Sequence, residues 1–489
     1  MAFLLDNVWS TFLIILFFGG SIFVHELGHF IAARRRGVQV ERFSIGMGPA
    51  IFSWRGRDGV EYRLSWLPLG GYVLLPQLAD LGVIEGRSEL RDAAATPAEG
   101  ESPARSLPPV SFPSKMIVFA AGAFCNMLFA LALATLLWLI GQPEHDEIAT
   151  TRIGYVLQYL PESPAQGDSS KAQGGPKVLS PAAQAGLRVN DVIRAIDGQP
   201  VKDWFEVRQL IVLSAGHSAD GQSQIVFTID RGGKRIDVPV HPRLSGDDRT
   251  RQVGIDAGFD LILHGVVPGS PAEQAGFRAQ DQLISFDGLP MINYFSSADY
   301  LDSHLAKPVR ALVLRGGQEV ALTIPARPGA KPGADFGFQF SSGEHLVHVS
   351  PFTQVSDQVT LTFRTLASLL NPRSDVGLSG MTGPVGIVHI FRAAAENGLR
   401  DILMFTILLN VNLAVFNLLP IPILDGGQML FATISRLRGR TLPGNFIMTT
   451  QSVFMVLLLL MVGYVTINDV RRWARDDQAD RPQPALAKP

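Results

Sequence analysis

The stretch FVHELGHF, residues 23–30, contains the pattern His-Glu-x-x-His and lies inside a long apolar run. On a helix, His25 and His29 occupy positions i and i+4 of one face, about 5–6 Å apart. Two imidazoles at this spacing can bind one zinc ion, with Glu26 beside them as a general base. The alternative is an ordinary helix that matches the pattern by chance. Ionisable residues at membrane depth are costly and usually functional, so the apolar surroundings favour the metal site.

A second acidic residue ends a distant apolar run. The sequence NLLPIPILDGG, residues 417–427, places Asp425 directly after the apolar residues 402–424. A catalytic zinc ion needs three protein ligands and one position for water, and Asp425 is the candidate for the third ligand. Taken alone, Asp425 is better explained as a helix-terminal aspartate at the membrane surface. Its occurrence together with His-Glu-x-x-His makes the zinc site the favoured interpretation.

The patterns H-E-x-x-H and N-x-x-P-x-P-x-L-D-G, in separate hydrophobic segments, resemble the site-2 protease family of intramembrane zinc metalloproteases, in its bacterial form with two PDZ domains. The resemblance covers nearly the whole chain. It implies one zinc ion per chain, bound by His25, His29 and Asp425, with Glu26 as the catalytic base. It also implies that Asn417 hydrogen-bonds the substrate backbone or the developing oxyanion.

Composition predicts a membrane protein with a large water-exposed part. Of the 489 residues, 47% are hydrophobic and 18% are charged. The mean hydropathy of +0.20 is high for a soluble protein. A formal net charge of −2 gives no indication of nucleic-acid binding. The single cysteine, Cys125, excludes an intramolecular disulfide.

Four apolar segments predict a polytopic α-helical membrane protein with about four transmembrane helices. The basic run 34–36 follows the first segment, and the positive-inside rule therefore places this end in the cytoplasm and the N-terminus outside. The expected location is the bacterial inner membrane, with the active site near the cytoplasmic face. The predicted spans are 1–36 with the HExxH pattern, 115–141, 400–430 with the LDG pattern, and 449–468.

The second predicted span contains small and polar residues. Gly122 and Ala123 permit the close approach of a neighbouring helix, and Asn126 is a buried polar group. Members of the family that this chain resembles usually have a Gly-Pro pair followed by Asn at this point. The Gly-Ala pair of this chain therefore departs from that pattern.

The segment at 37–77 carries two strand patterns on either side of Arg57-Asp58-Gly59, which is a hairpin signal. The glycines in Gly46-Met47-Gly48 and at 70–71 indicate tight backbone. One interpretation is a surface hairpin. The family resemblance implies instead a membrane-associated β-hairpin near the zinc that pairs with an extended substrate, with Gly46, Met47 and Gly48 as candidate substrate-binding residues.

Three further segments are predicted from their composition. Residues 78–114 are polar and rich in Ala, Pro, Ser and Glu, which indicates a flexible cytoplasmic loop. Residues 350–399 form a predicted amphipathic connecting region before the third span. The tail at 469–489 is predicted to be disordered.

Residues 142–340 contain an internal repeat. The sequence at 180–200 aligns without gaps with that at 270–290, an offset of 90 residues. The shared pattern S-P-A-x-x-A-G looks like the short helix, turn and strand of a PDZ domain. We therefore predict two inserted α+β PDZ domains, at 150–243 and 253–328, outside the membrane. Grooves of such domains bind an extended peptide or a C-terminus by strand addition.

The predicted function is peptide-bond hydrolysis within the lipid bilayer. The resemblance implies single-span membrane proteins as substrates, such as anti-sigma factors already shortened on the outer side, or remnant signal peptides. The alternative from another class is a catalytically silent scaffold whose PDZ domains bind exported proteins. That alternative predicts loss of zinc ligands, and none is missing. A metal transporter is disfavoured because a single site provides no conduction path.

Overall fold

The computed structural model describes residues 8–78, 108–160, 178–245, 250–331, 333–372, 374 and 381–479. Residues 79–107 of the predicted loop and 480–489 of the predicted tail lie outside these ranges. The chain forms two compact units. The first, the helical unit, comprises Met1–Gln142, His348–Phe363 and Met381–Pro489, and the second, the sheet unit, comprises Pro143–Val347 and Arg364–Gly380.

The elements follow one another in three groups. The first group is α1 (Val8–Ile14), a π-helical turn (Ile15–Gly19), α2 (Gly20–Arg35), β1 (Arg42–Arg55), β2 (Glu61–Leu74), a 3-10 turn (Pro76–Leu78), α3 (Phe112–Ile140) and β3 (Gln142–His145). The second is β4 (Ile153–Val156), β5 (Tyr159–Leu160), β6 (Val178–Leu179), α4 (Pro181–Ala185), β7 (Val192–Ile196), β8 (Gln199–Pro200), α5 (Trp204–Leu213), β9 (Ile225–Arg231), β10 (Lys234–Val240), β11 (Arg243–Ser245), β12 (Thr250–Gln252), β13 (Ile255–Ala257), β14 (Leu261–Val266), α6 (Pro271–Gln274), β15 (Gln282–Phe286), β16 (Leu289–Pro290), α7 (Tyr294–Ser303), β17 (Val309–Arg315), β18 (Gln318–Ile324), β19 (Phe338–Ser341) and β20 (Glu344–Val347). The third is α8 (Pro351–Leu370), α9 (Pro384–Asn397), α10 (Leu399–Asn417), α11 (Asp425–Arg438) and α12 (Gly444–Ala479).

Four helical segments of the described chain are long and apolar enough to cross a membrane, as the sequence predicts. They are Thr11–Arg35, Phe112–Ile140, Leu399–Asn417 and Gly444–Arg471. A helix bonds all its interior backbone groups within itself, which is the requirement for crossing hydrocarbon. The helical unit therefore has the architecture of a polytopic α-helical membrane protein.

The third predicted span, 400–430, is not one continuous helix. Helix α10 ends at Asn417, and α11 begins at Asp425 after a short non-helical segment. Pro420 and Pro422 lie in that segment, and proline has no backbone N–H with which to continue a helix. The break places Asp425 in the first turn of a new helix.

Helix α12 continues beyond its predicted end. It runs from Gly444 to Ala479, so the prediction of a disordered tail is wrong for residues 469–479. A tertiary contact at the start of this extension joins α12 to α9. The buried carboxylate of Asp469 accepts hydrogen bonds of 2.9 Å from the N–H groups of Gly383 and Gly386 at the start of α9. Free N–H groups at a helix N-terminus are stabilised by an anionic acceptor.

The segment at 37–77 forms a hairpin, as predicted. Strands β1 and β2 are antiparallel, and the turn between them falls at residues 57–59. Residues 42–45 of β1 pair with both 61–64 and 71–74 of β2. The hairpin is therefore folded on itself, and residues 71–74 form an outer edge whose strand partner among the described residues is 41–45.

The sheet unit has two successive cores. In the first, the strand order is β10-β9-β7-β8, and apolar side chains from these strands and α5 form one buried cluster. In the second, the order is β18-β17-β15-β14-β19, with a second buried cluster. Since β19 ends this sheet and pairs with β14 alone, its other edge is open in the described part of the chain.

The same local structure occurs in both cores. Its aspartates, Asp191 and Asp281, have the 90-residue offset of the sequence repeat. Asp191 accepts two hydrogen bonds of 2.7 Å from Arg231, and Asp281 accepts two of 2.7 Å from Arg315. The pKa of each arginine is raised because the aspartate hydrogen-bonds and stabilises its charged form. These bidentate pairs fix the loop after the short helix against the sheet.

Candidate active site

Two helices bring the predicted metal ligands together. His25 and His29 are one turn apart on α2, and Asp425 begins α11. The Nε2 atoms of the two histidines are 3.2 Å apart. Oδ2 of Asp425 lies 3.4 Å from Nε2 of His25 and 3.3 Å from Nε2 of His29. Within the described residues, these three form the one group of His, Cys, Asp and Glu suited to hold a metal ion.

These distances fit a tetrahedral zinc ion. Zinc binds histidine nitrogen and carboxylate oxygen at about 2.0–2.2 Å, and tetrahedral geometry then separates the ligand atoms by roughly 3.3 Å. The three separations between His25, His29 and Asp425 are 3.2, 3.3 and 3.4 Å. The side chains are thus placed as a tetrahedral site requires, with the fourth position left for water or substrate.

The second nitrogen of His29 fixes the tautomer of its ring. Nδ1 of His29 lies 2.7 Å from the carbonyl oxygen of Val118 on α3. A carbonyl oxygen can only accept, so Nδ1 carries the hydrogen and donates it. The lone pair of His29 is then on Nε2, which faces Asp425. Such an outer hydrogen bond is the usual support of a metal-binding histidine.

The ring of His25 meets Asn126, also on α3. Nδ1 of His25 is 3.3 Å from Nδ2 of Asn126, while Oδ1 of Asn126 is buried without a hydrogen-bond partner among the described residues. Metal binding through Nε2 leaves a hydrogen on Nδ1, which needs an acceptor. Rotation of the Asn126 amide by 180° supplies one, because amide N and O are interchangeable by shape. Asn126 is therefore placed to orient His25.

A glycine on α3 permits this arrangement. A Cβ atom on Gly122 would lie 2.4 Å from Nε2 of His29 and 2.8 Å from Nε2 of His25. Both distances are far below van der Waals contact, so any side chain at this position would displace the two imidazoles. The sequence predicted close helix approach at Gly122, and the structure shows that the close neighbours are the two histidines themselves.

Glu26 is buried, with 8% of its surface exposed, and lies against the β-hairpin. A Cβ atom on Gly71 would lie 2.7 Å from Cγ of Glu26 and 2.8 Å from the carbonyl oxygen of Ser44. The outer edge of β2 therefore passes directly beside Glu26. Sequence reasoning missed Gly71 as a site residue, although the Gly-Gly pair at 70–71 is a visible signal of close backbone approach.

The predicted substrate-binding residues are in two places. Nδ2 of Asn417, at the end of α10, lies 3.5 Å from Nε2 of His25, so this amide reaches the histidines. Gly46, Met47 and Gly48 lie in the middle of β1, and both glycines have a φ of 84°. The β-hairpin approaches Glu26 closely at Gly71.

A separate cavity of about 330 Å³ lies in the sheet unit between α7 and the edge strand β19. A helix beside an open strand edge is the geometry in which an extended peptide adds to a sheet. The cavity is lined by five residues of α7, by two of β19 and by the segment before β19: Tyr294, Ser297, Ala298, Leu301, Asp302, Phe338, Phe340 and residues 333–336.

Comparison with known proteins shows the family. The model of peptidase family M50 matches residues 13–461. Regulator of sigma-E protease RseP is 28% identical in both Salmonella typhimurium (strain 14028s) and Escherichia coli K12. Each alignment covers 96% of this chain and 100% of the relative. Protease RseP of Yersinia pestis is similar to the same extent, with 28% identity over 96% of this chain and 100% of its own. Because the family match includes both the His-Glu-x-x-His pattern and Asp425, the protein belongs to peptidase family M50, the site-2 protease family of zinc metalloproteases.

Proposed function

We propose that this protein hydrolyses peptide bonds within the transmembrane segments of single-span membrane proteins. The observation that carries the proposal is the set of three ligand atoms, on His25, His29 and Asp425, at the separations of a tetrahedral zinc site. Two of the three lie on a candidate membrane span. A catalytically silent scaffold would not need this set, and all its members are present.

The proposed chemistry is attack of a water molecule on the scissile carbonyl. His25, His29 and Asp425 would hold zinc, which supplies Lewis-acid activation of water near neutral pH. Glu26 accepts the proton of the attacking water and later donates it to the leaving amine. Its burial keeps bulk water away from this proton transfer.

Two parts of the chain are proposed to hold the substrate. Residues 71–74 form an outer edge beside Glu26, and an extended substrate segment can pair with that edge. This pairing keeps the substrate segment unwound. In a substrate helix, the carbonyl groups would be hydrogen-bonded within the helix and closed to attack. The Nδ2 group of Asn417 points to the same place and donates to the substrate carbonyl or the developing oxyanion. We also propose, as the family resemblance implies, that Gly46, Met47 and Gly48 of β1 bind the extended substrate.

The proposed topology follows from the basic residues. Arg34, Arg35 and Arg36 follow the first span, and three arginines, at 436, 438 and 440, follow Asp425. By the positive-inside rule both ends face the cytoplasm of a bacterial cell. The site then lies near the cytoplasmic face of the inner membrane, with the N-terminus and the sheet unit outside. The two clusters of basic residues support one shared depth for both halves of the site.

We also propose that the two cores of the sheet unit are PDZ domains. They correspond to the predicted 150–243 and 253–328, except that β13 (Ile255–Ala257) packs in the first core and β19 (Phe338–Ser341) belongs to the second. The support is the repeated short helix and bidentate Asp–Arg pair, together with the cavity between α7 and the open edge of β19. In this assignment, the cavity takes an extended peptide or a C-terminus. The proposed substrates are those that the family resemblance implies, namely trimmed anti-sigma factors or remnant signal peptides.

Zinc dependence tests the proposed function. The full chain is reconstituted in lipid vesicles with a panel of single-span substrates, beginning with a trimmed anti-sigma factor. A zinc chelator such as 1,10-phenanthroline should stop cleavage, and added Zn²⁺ should restore it, whereas added Mg²⁺ should not, because Mg²⁺ prefers oxygen ligands. Cleavage that continues at full rate in metal-free protein would contradict the proposal.

Deletion of both proposed PDZ domains tests their role as a gate. On the proposed topology, residues 150–328 are about 30 Å of hydrocarbon away from the zinc site, so none of them can reach the scissile bond. Cleavage of a trimmed substrate should be largely unchanged, and the full-length substrate should become cleavable. If deletion instead impairs cleavage of the trimmed substrate and never permits cleavage of the full-length one, the domains recruit substrate and do not exclude it.

A further inference from the structure

A cavity of about 710 Å³ lies in the helical unit, at the point where two candidate spans begin. Phe112 opens α3, Gly444 opens α12, and both line the cavity. The last turn of α11 and the loop after it close the other side.

The charge of this cavity is of one sign. Lys115, Arg436 and Arg440 line it, and among the described residues no acidic side chain does. None of these three cations forms an ion pair with a carboxylate in the described part of the chain. Arg436 instead lies over the ring of Phe112, with its guanidinium carbon 5.8 Å from the ring centre. Three unpaired cations around a concave space produce a positive potential that attracts an anion.

The apolar part of the lining shows what kind of anion fits. Ile447 and Leu442 are buried in its wall, and Val110 and Phe112 add further apolar surface. Beyond the cavity, α12 exposes a continuous series of large apolar side chains, which include Phe446, Val453, Val456, Leu457 and Leu460. A ligand with a phosphate at one end and hydrocarbon at the other matches both surfaces.

We propose that this cavity binds the phosphate of an anionic phospholipid, whose acyl chains lie along α12. The cavity is at the end of two membrane-crossing helices, which is the depth of lipid headgroups. Arginine binds phosphate oxygens through paired N–H groups, and lysine adds a point charge. Basic pockets between membrane helices are a recognised site for such headgroups. The proposal requires that the candidate spans lie in a membrane. It does not depend on whether the protein cleaves peptide bonds.

The test measures bound lipid on the full chain. The protein is placed in nanodiscs of phosphatidylcholine containing an increasing fraction of phosphatidylglycerol, released, and examined by native mass spectrometry. The parent should retain phosphatidylglycerol in preference to phosphatidylcholine. Combined Lys115→Ala, Arg436→Ala and Arg440→Ala should weaken that retention at least about tenfold, since each cation near the surface contributes to attraction of anionic lipid.

A matched control removes the same charge elsewhere. Arg35→Ala, Arg438→Ala and Arg471→Ala together alter three arginines near span ends that do not line the cavity, and this variant should retain lipid like the parent. If the triple variant fails to fold, the single variant Arg440→Ala replaces it. Arg440 is in an exposed loop position, so this variant should fold and lose part of the lipid retention.

Three results would overturn the proposal. The first is equal retention of both lipids by the parent. The second is displacement of phosphatidylglycerol by millimolar inorganic phosphate, which would identify a free-phosphate site. The third is equal lipid retention by the parent and the cavity variants, as expected if the acidic segment 79–107 of the chain itself fills the cavity.

Discussion

Replacing Glu26 with glutamine should abolish cleavage and leave zinc bound. The amide has nearly the same shape as the carboxylate, so the fold and the three ligands should be unchanged. It cannot accept the proton of the attacking water, and general-base catalysis typically contributes about 10²–10⁴-fold. We therefore expect at least ~10² lower turnover of a reconstituted single-span substrate. Turnover and zinc content are measured on the same preparation.

Glu41→Gln is the matched control for this variant. Glu41 is exposed and lies outside the site, before β1. Its replacement removes the same charge and should leave both turnover and zinc content unchanged. Near-parental turnover by Glu26→Gln would remove Glu26 from the mechanism. Loss of zinc from that variant would show instead a structural role in the metal site.

Replacing Gly122 with alanine should remove zinc and, with it, cleavage. The added Cβ would lie 2.4 Å from Nε2 of His29, so the two imidazoles must move. Changes in the immediate support of a metal site typically lower metal affinity by about 10–100-fold. Alanine is also the better helix former, by about 1 kcal/mol. The substitution should therefore lower zinc affinity while the helix itself is not weakened.

Gly20→Ala separates the contact from helix propensity. Gly20 is also helical, but a Cβ there meets nothing within 4 Å among the described residues. This variant should bind zinc and cleave substrate like the parent. If Gly122→Ala also keeps full zinc affinity, then the histidines do not occupy the positions described here, and the tetrahedral arrangement is contradicted.

The part of the site that sequence could predict is the part with local spacing. His25 and His29 are separated by one helical turn, so their shared face follows from the helical period alone. Asp425 was predicted from its pattern together with His-Glu-x-x-His, because an aspartate at the end of an apolar run is by itself better explained as a helix-terminal residue at the membrane surface. The spans were predicted from long runs of apolar residues, for which a helix is a stable form in a bilayer.

The residues that sequence reasoning missed act over long separations in the chain. Gly71 meets Glu26, and Val118 meets His29, only because separate elements pack together. The interruption between α10 and α11 was visible in two prolines, but its consequence, an aspartate in a first helical turn, was not. The buried carboxylate of Asp469, just past the predicted end of α12, bonds the start of α9. No local pattern reports such contacts.

The central claim is that His25, His29 and Asp425 hold one zinc ion, and the zinc content of an Asp425→Ala variant tests it most directly. Asp401→Ala is the matched control, because Asp401 also lies in the first turn of a helix but outside the site. By elemental analysis, the parent and Asp401→Ala should carry about one zinc ion per chain. Asp425→Ala should lose most of it. An Asp425→Ala protein with its full zinc content would contradict the three-ligand site.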